Sequence, residues 1–331
     1  MSTRNTIGKQ VESALGKERA DRLRKAERSY RKALADKIAP APAKKAKAKG
    51  AAPAAKAVAR RPLGEPNDRQ GGWQPSDPFV EHPKPTHTRH DLLRGLHERL
   101  RPRTYLEVGV NAGQSLTLSR AKSIGVDPEF SVTKPLHCDL DLVQAKSDEF
   151  FARPDALAHF EGVPVDLAFL DGMHLSEFAL RDFINVERHL AATGVAVFDD
   201  VMPRNALEAA RVRLTGAWAG DIYKAVEIVA RRRPDLVVLL VNTWPTGTAV
   251  VVGTDAASTV LQDAYESEVP YLEADDPQTP PLEYMNRSIA VDPAALLESE
   301  AWDLLVTARE TGDQALVEKA KDVLRAIPKL G

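Results

Sequence analysis

The chain has 331 residues, 43% of them hydrophobic, with one cysteine, Cys138, and a net charge of −2. That length carries one large domain or two modest ones, and a single cysteine excludes an intrachain disulfide and any cysteine-based zinc site. The charge is unevenly spread: residues 1–62 hold 18 Lys and Arg against 5 Asp and Glu, so a basic arm is joined to an acidic body. No apolar run approaches the ~18 residues of a membrane span, and the polar, basic N-terminus has no apolar core of a secretory signal. A cytoplasmic location is the expectation.

Residues 1–38 read as a basic helical arm. Ile7, Val11, Leu15, Leu23, Ala26, Tyr30, Leu34 and Ile38 recur at helical spacing among charged neighbours. The stripe is narrow, which leaves open a docking helix, contact with nucleic acid or an anionic surface, or simply a solvated arm. Residues 39–63 are Ala/Lys/Pro-rich and predict a disordered linker. The body begins at residue 64. Thr88-x-x-Asp91 is a capping box with Asp in place of Glu, and it opens a helix with Leu92, Leu93, Leu96 and Leu100 on one face. His82, His87, His90 and His97 lack a compact ligand spacing, so a metal role is not expected of them.

Residues 104–127 organise the rest. The apolar run Tyr105, Leu106, Val108 leads into Glu107-x-Gly109-x-x-x-Gly113, and a second run, 124–126, ends on Asp127. This predicts strand, glycine turn, helix, strand and a terminal carboxylate, the first βαβ unit of an open α/β sheet. Asn111 and Gln114 stand where a dinucleotide fingerprint needs glycines, so a pyrophosphate site is excluded. The remaining E-x-G-x-x-x-G resembles motif I of the class I S-adenosylmethionine-dependent methyltransferases. That resemblance implies cofactor contacts from Glu107, Gly109, Asn111, Gly113 and Asp127. Residues 142–151 predict a short helix or turn after a third strand. Ser147 is expected to cap it, and by the same resemblance to lie near the adenine.

The chemistry sits further on. Residues 166–171 form an apolar strand ending on Asp171; Gly172, Met173 and His174 follow, then an amphipathic helix. Residues 195–198 form the next strand, which ends on Asp199 and Asp200. Three carboxylates and a histidine thus reach the sheet edge that holds Gly109 and Asp127. Such close like charges need a cation or strong donors, and an all-oxygen set suits Mg²⁺.

LDGMH followed by VFDD resembles the metal-dependent O-methyltransferases, the catechol type and its bacterial relatives acting on sugars and natural products. By this resemblance Asp171, Asp199 and Asp200 are metal ligands, Asp171 also borders the cofactor, and His174 is the general base. Asp199-Asp200 replaces the Asp-Asn of the catechol type, which speaks against a catechol substrate.

Residues 236–241 and 248–252 predict an antiparallel hairpin, as closes the sheet in class I methyltransferases. The resemblance covers residues 86–253. The expected fold is therefore a Rossmann-like α/β class I methyltransferase sheet with helices on both faces, spanning residues 64–254. Residues 255–290 are acidic and proline-punctuated, a lid or tether, and 291–331 form a helical pair. The expected function is methyl transfer from S-adenosylmethionine to a hydroxyl of a small molecule, Mg²⁺-assisted. A metal-independent methyltransferase and a non-catalytic cofactor-binding scaffold are the alternatives, and a homo-oligomer is left open.

Overall fold

The computed structural model describes residues 79–331, all within one unit spanning residues 62–331. The helical arm, the linker and the start of the body expected at residue 64 lie outside the described residues. Seven strands form one sheet: β1 (Thr104–Val108), β2 (Lys122–Val126), β3 (Leu140–Val143), β4 (Val165–Leu170), β5 (Leu190–Asp199), β6 (Val237–Val241) and β7 (Thr248–Val252). Their order is β3-β2-β1-β4-β5-β7-β6. Pairing is parallel from β3 through β5, and β7 runs antiparallel to both β5 and β6. The strand order reverses between β1 and β4, which makes their carboxyl ends the binding crevice of the sheet. The hairpin expected from the sequence is present, with Val241 paired to Thr248. The expected Rossmann-like sheet is what the chain forms.

Helices cover both faces because the strands are buried on both faces. On one face lie α1 (Arg89–Leu100), α7 (Pro293–Glu298), α8 (Ala301–Thr311) and α9 (Gln314–Arg325). Their Leu92, Leu96, Trp302, Leu305 and Leu324 pack with Tyr105, Phe169, Val197 and Val250 of the strands. On the other face lie α2 (Ser147–Phe151), α3 (Ser176–Glu187), α4 (Tyr223–Arg232) and α5 (Val260–Leu272), against Leu106, Ala168 and Phe198. The alternation along β4 is visible in residue parity: Leu167 and Phe169 serve one core, Ala168 and Leu170 the other. The short helix α6 (Leu282–Met285) completes the set. Within the acidic 255–290 stretch, α5 packs on α3 and α4, with Leu261, Tyr265 and Leu272 buried.

Two local expectations change. The helix expected between β1 and β2 is only a 3₁₀ turn, Leu116–Leu118. The hydroxyl residues there bond to nearby backbone instead of continuing a helix. Ser119 Oγ accepts from Ala121 N at 3.1 Å, and Thr117 Oγ1 donates to Pro135 O at 2.5 Å. Arg120 donates to the carbonyls of Thr117 and Ser119, closing the turn. Second, Lys146 rather than Ser147 caps α2, and no side chain bonds that end. Ser147 bonds the buried Asp182 of α3 instead. The Thr88/Asp91 capping box is intact, with both reciprocal bonds made.

Trp302 is fully buried between the C-terminal helices and the sheet, and its indole N–H donates to Leu296 O at 2.7 Å. Truncation leaves a large void, while the Leu296 carbonyl keeps its bond from Ser299 N at 3.2 Å. Trp302→Ala should lower unfolding free energy by about 3–5 kcal/mol in urea denaturation.

Candidate active site

The crevice is assembled where β1 meets β4. Asp171 N donates to Val108 O at 2.8 Å, continuing the ladder by one residue. Gly109 follows with φ +92°, and a Cβ there would lie 1.9 Å from the Asp171 carbonyl oxygen. The demand for glycine at 109 thus comes from the neighbouring strand. Asn111 and Gly113 also have positive φ, 48° and 74°, so the loop after β1 turns back sharply. Asp127, at the end of β2, holds this loop. Its Oδ2 accepts from Val110 N at 2.9 Å and Asn111 N at 2.8 Å, and its Oδ1 from Glu129 N at 2.7 Å.

Glu107 lies beneath that loop and is fully buried. Its Oε2 accepts from Tyr105 Oη at 2.6 Å, while Oε1 is buried with no partner among the described residues. Burial pushes its carboxyl up to about 8, opposed by the Tyr105 hydrogen bond. Asp182, bonded by Ser147, is pushed up by burial to about 7.

At the ends of β4 and β5, Asp171 Oδ1, His174 Nε2 and Asp200 Oδ2 converge. His174 Nε2 lies 3.4 Å from Asp171 and 3.3 Å from Asp200. Ligand atoms of the three residues all fall within 4.8 Å of one another. Asp200 sits in the left-handed region, φ 58°, and its other oxygen accepts from the Thr246 hydroxyl.

His174 is held from below by residues 218–221, whose part the sequence does not disclose. Its Nδ1 bonds the Trp218 carbonyl at 2.6 Å, and its ring stacks on the Trp218 indole at 4.8 Å and 15°. A carbonyl only accepts, so Nδ1 carries the proton and, in the neutral ring, Nε2 keeps its lone pair toward the carboxylates. Gly220, φ +61°, has no room for a Cβ, which would fall 1.8 Å from the His174 carbonyl oxygen. Asp221 Oδ1 accepts from Ser176 N at 2.8 Å, satisfying the N-terminus of α3 just after His174.

Asp199 does not join the cluster. It is buried and ion-paired with Arg89, the first residue of α1. Burial pushes the Asp199 carboxyl up, and the Arg89 guanidinium opposes this. Arg89 also lies 3.8 Å from Asp200. The expected ligand set Asp171, Asp199, Asp200 is thus divided: two carboxylates meet His174 and the third meets an arginine. Nothing in the spacing of Arg89, 110 residues before Asp199, signals this pairing.

Residues 106–201 match the model of a protein family described as a methyltransferase domain. That match identifies a methyltransferase domain in this segment of the chain. The matched segment runs from β1 past β5 and includes Glu107, Asp171, His174 and both residues of the Asp pair. No curated protein matches the chain. Among solved structures, the S-adenosylhomocysteine-bound methyltransferase PaMTH1 of Podospora anserina is similar at 15% identity and TM-score 0.35, over 50% of this chain and 78% of its own. A putative caffeoyl-CoA O-methyltransferase of Staphylococcus aureus follows at 15% and 0.38, over 54% and 86%. MycE, a mycinamycin-pathway methyltransferase in complex with Mg and S-adenosylhomocysteine, is similar at 18% and 0.33, over 50% of this chain and 49% of its own.

The raised Glu107 carboxyl gives a pH test of the crevice floor. With about 8 in the folded state against an ordinary 4.5, the folded protein binds more protons than the unfolded one between those values. Stability attributable to this group is therefore intact below the unfolded value and declines as pH rises toward about 8. Glu107→Gln keeps an acceptor for Tyr105 and removes the buried charge. It should gain on wild type by roughly 2–4 kcal/mol between pH 5 and pH 8.5, read by urea denaturation at both.

Proposed function

We propose that the protein transfers the methyl group of S-adenosylmethionine to a hydroxyl of a small molecule, with His174 as general base and a divalent cation, Mg²⁺ foremost, at the Asp171–Asp200 cluster. The observation that carries this reading is the orientation of His174. Its Nδ1 is committed to Trp218 and its Nε2 faces two carboxylates at the crevice edge.

The cofactor's needs fit the residues present. The ammonium group of its amino-acid end requires acceptors, and Glu107 Oε1 is a buried oxygen without a partner among the described residues. Asp127 accepts three backbone N–H bonds, and a carboxylate has about four lone-pair sites, so capacity remains for a ribose hydroxyl. Gly109, Asn111 and Gly113 shape the loop against which the cofactor would lie. Ser147, bonded to Asp182, marks the adenine end of this proposal.

The donor set also fits a divalent cation. Asp171 and Asp200 supply hard oxygens close together, with Asp199 next in the chain and an imidazole beside them. The ion would supply Lewis acidity that eases deprotonation of the acceptor hydroxyl. The chain's own groups do the rest. His174 Nε2 takes the hydroxyl proton, and the Trp218 carbonyl holds Nδ1–H and shares the positive charge that develops; in the metal-independent variant Asp171 and Asp200 stabilise that imidazolium. An ordinary imidazole near 6.5 taking a proton from a phenol near 10 works uphill by roughly 5 kcal/mol, so these carboxylates have a defined task. A metal-independent variant of the reaction is favoured by one observation, the positive charge that Arg89 already brings to Asp199.

Calorimetric titration of S-adenosylmethionine, with and without Mg²⁺, tests the cofactor; micromolar binding is expected. His174→Ala should keep that affinity and lose activity on an accepted hydroxyl substrate by 10²–10⁴-fold. Chelator should abolish turnover if the cation assists, and leave it intact if Arg89 suffices. Absence of cofactor binding under both conditions would overturn the proposal.

A further inference from the structure

Three carboxylates leave two adjacent strands here, yet only Asp171 and Asp200 share His174. Asp199 is 3% exposed and takes its charge compensation from Arg89. The same guanidinium nitrogen stands 3.8 Å from Asp200 Oδ2, so one cation already bridges the Asp pair.

The backbone beneath Arg89 is fixed. Thr88 closes the capping box with Asp91 and pairs with Trp244 in a two-residue ladder, His87–Thr88 against Thr243–Trp244. The side chain has freedom, because it is 28% exposed while the carboxylate it holds is buried. A guanidinium offers several donors and is weakly hydrated, which suits a buried carboxylate. It cannot share that carboxylate's oxygens with a metal ion without charge repulsion.

We propose that Arg89 is a built-in competitor for the divalent cation. In the metal-free protein it neutralises Asp199 and keeps the Asp pair in place. When the cation binds, Asp199 changes partner and the guanidinium moves out along its exposed side. Arg89 thereby lowers metal affinity and sets the concentration at which the site loads. This rests on the metal reading given above, and goes beyond it in assigning Arg89 the control of loading.

The test is titration of Mn²⁺, followed by electron paramagnetic resonance, into the full chain and three variants: Arg89→Gln, Asp199→Asn and the double variant. Arg89→Gln should bind Mn²⁺ at least tenfold more tightly than wild type. Asp199→Asn should bind it more weakly, and in that background Arg89→Gln should give no gain. Unchanged or weaker binding by Arg89→Gln overturns the proposal, as does an equal gain in both backgrounds. If Arg89→Gln fails to fold, Asp199→Asn and Arg89→Lys decide: unchanged Mn²⁺ affinity in both overturns it. S-adenosylmethionine binding, measured on the same samples, separates the two readings. Cofactor binding with no Mn²⁺ binding in any variant overturns the competition and leaves methyl transfer standing.

Discussion

The seam between β1 and β4 is the constraint on which the site depends. Two parallel strands that lead their chains away in opposite directions leave a crevice at their carboxyl ends. Here that crevice has a particular floor, because Gly109 allows the loop after β1 to press on the Asp171 carbonyl. Any side chain at 109 would push the strand end that carries Asp171 away from the loop that Asp127 ties down. The glycine and the two aspartates are thus one mechanical unit before they are anything chemical.

Around that seam the site draws on four separate pieces of chain. β4 delivers Asp171 and His174, β5 delivers the Asp pair, residues 218–221 support the imidazole, and the start of α1 brings Arg89. Each piece is anchored by backbone hydrogen bonds away from the reacting edge. The Met202 and Val201 amides bond the Thr246 and Gly247 carbonyls, holding the loop after β5 against the hairpin turn. A second buried network, Arg211 with Glu177 and Asp221, ties α3 to the segment under His174 and to the Leu272 carbonyl at the end of α5. The acidic 255–290 stretch therefore bears on the position of His174 through Asp221, which lies 45 residues beyond Ser176 in the chain but is bonded to the helix start just after His174.

Much of this was legible in the sequence where a short-range rule applies. The capping box at Thr88, the alternation of β4 and the hairpin of residues 237–252 follow from local geometry. The strand ends carrying Asp171 and Asp199-Asp200 could be placed because apolar runs of strand length stop on them. The segment between β1 and β2 departs from the expected helix. Its hydroxyl-rich residues compete for backbone partners, and that competition leaves only the 3₁₀ turn Leu116–Leu118 where the βαβ pattern predicts a helix. Ser147 does not cap α2 because its partner, Asp182, comes from a different helix.

By itself, the sequence determined the sheet, the crevice and the kind of groups that face it, because strand periodicity and strand ends are properties of contiguous residues. Only the tertiary structure decided how those groups are shared. It gave Asp171 and Asp200 to His174, gave Asp199 to Arg89, and set Trp218 and Gly220 beneath the imidazole. The physical reason is that the sharing depends on the left-handed backbone at Asp200 and on a cation that arrives from the start of a distant helix to claim Asp199. Neither the backbone angle nor the arriving charge is written in the spacing of the residues themselves.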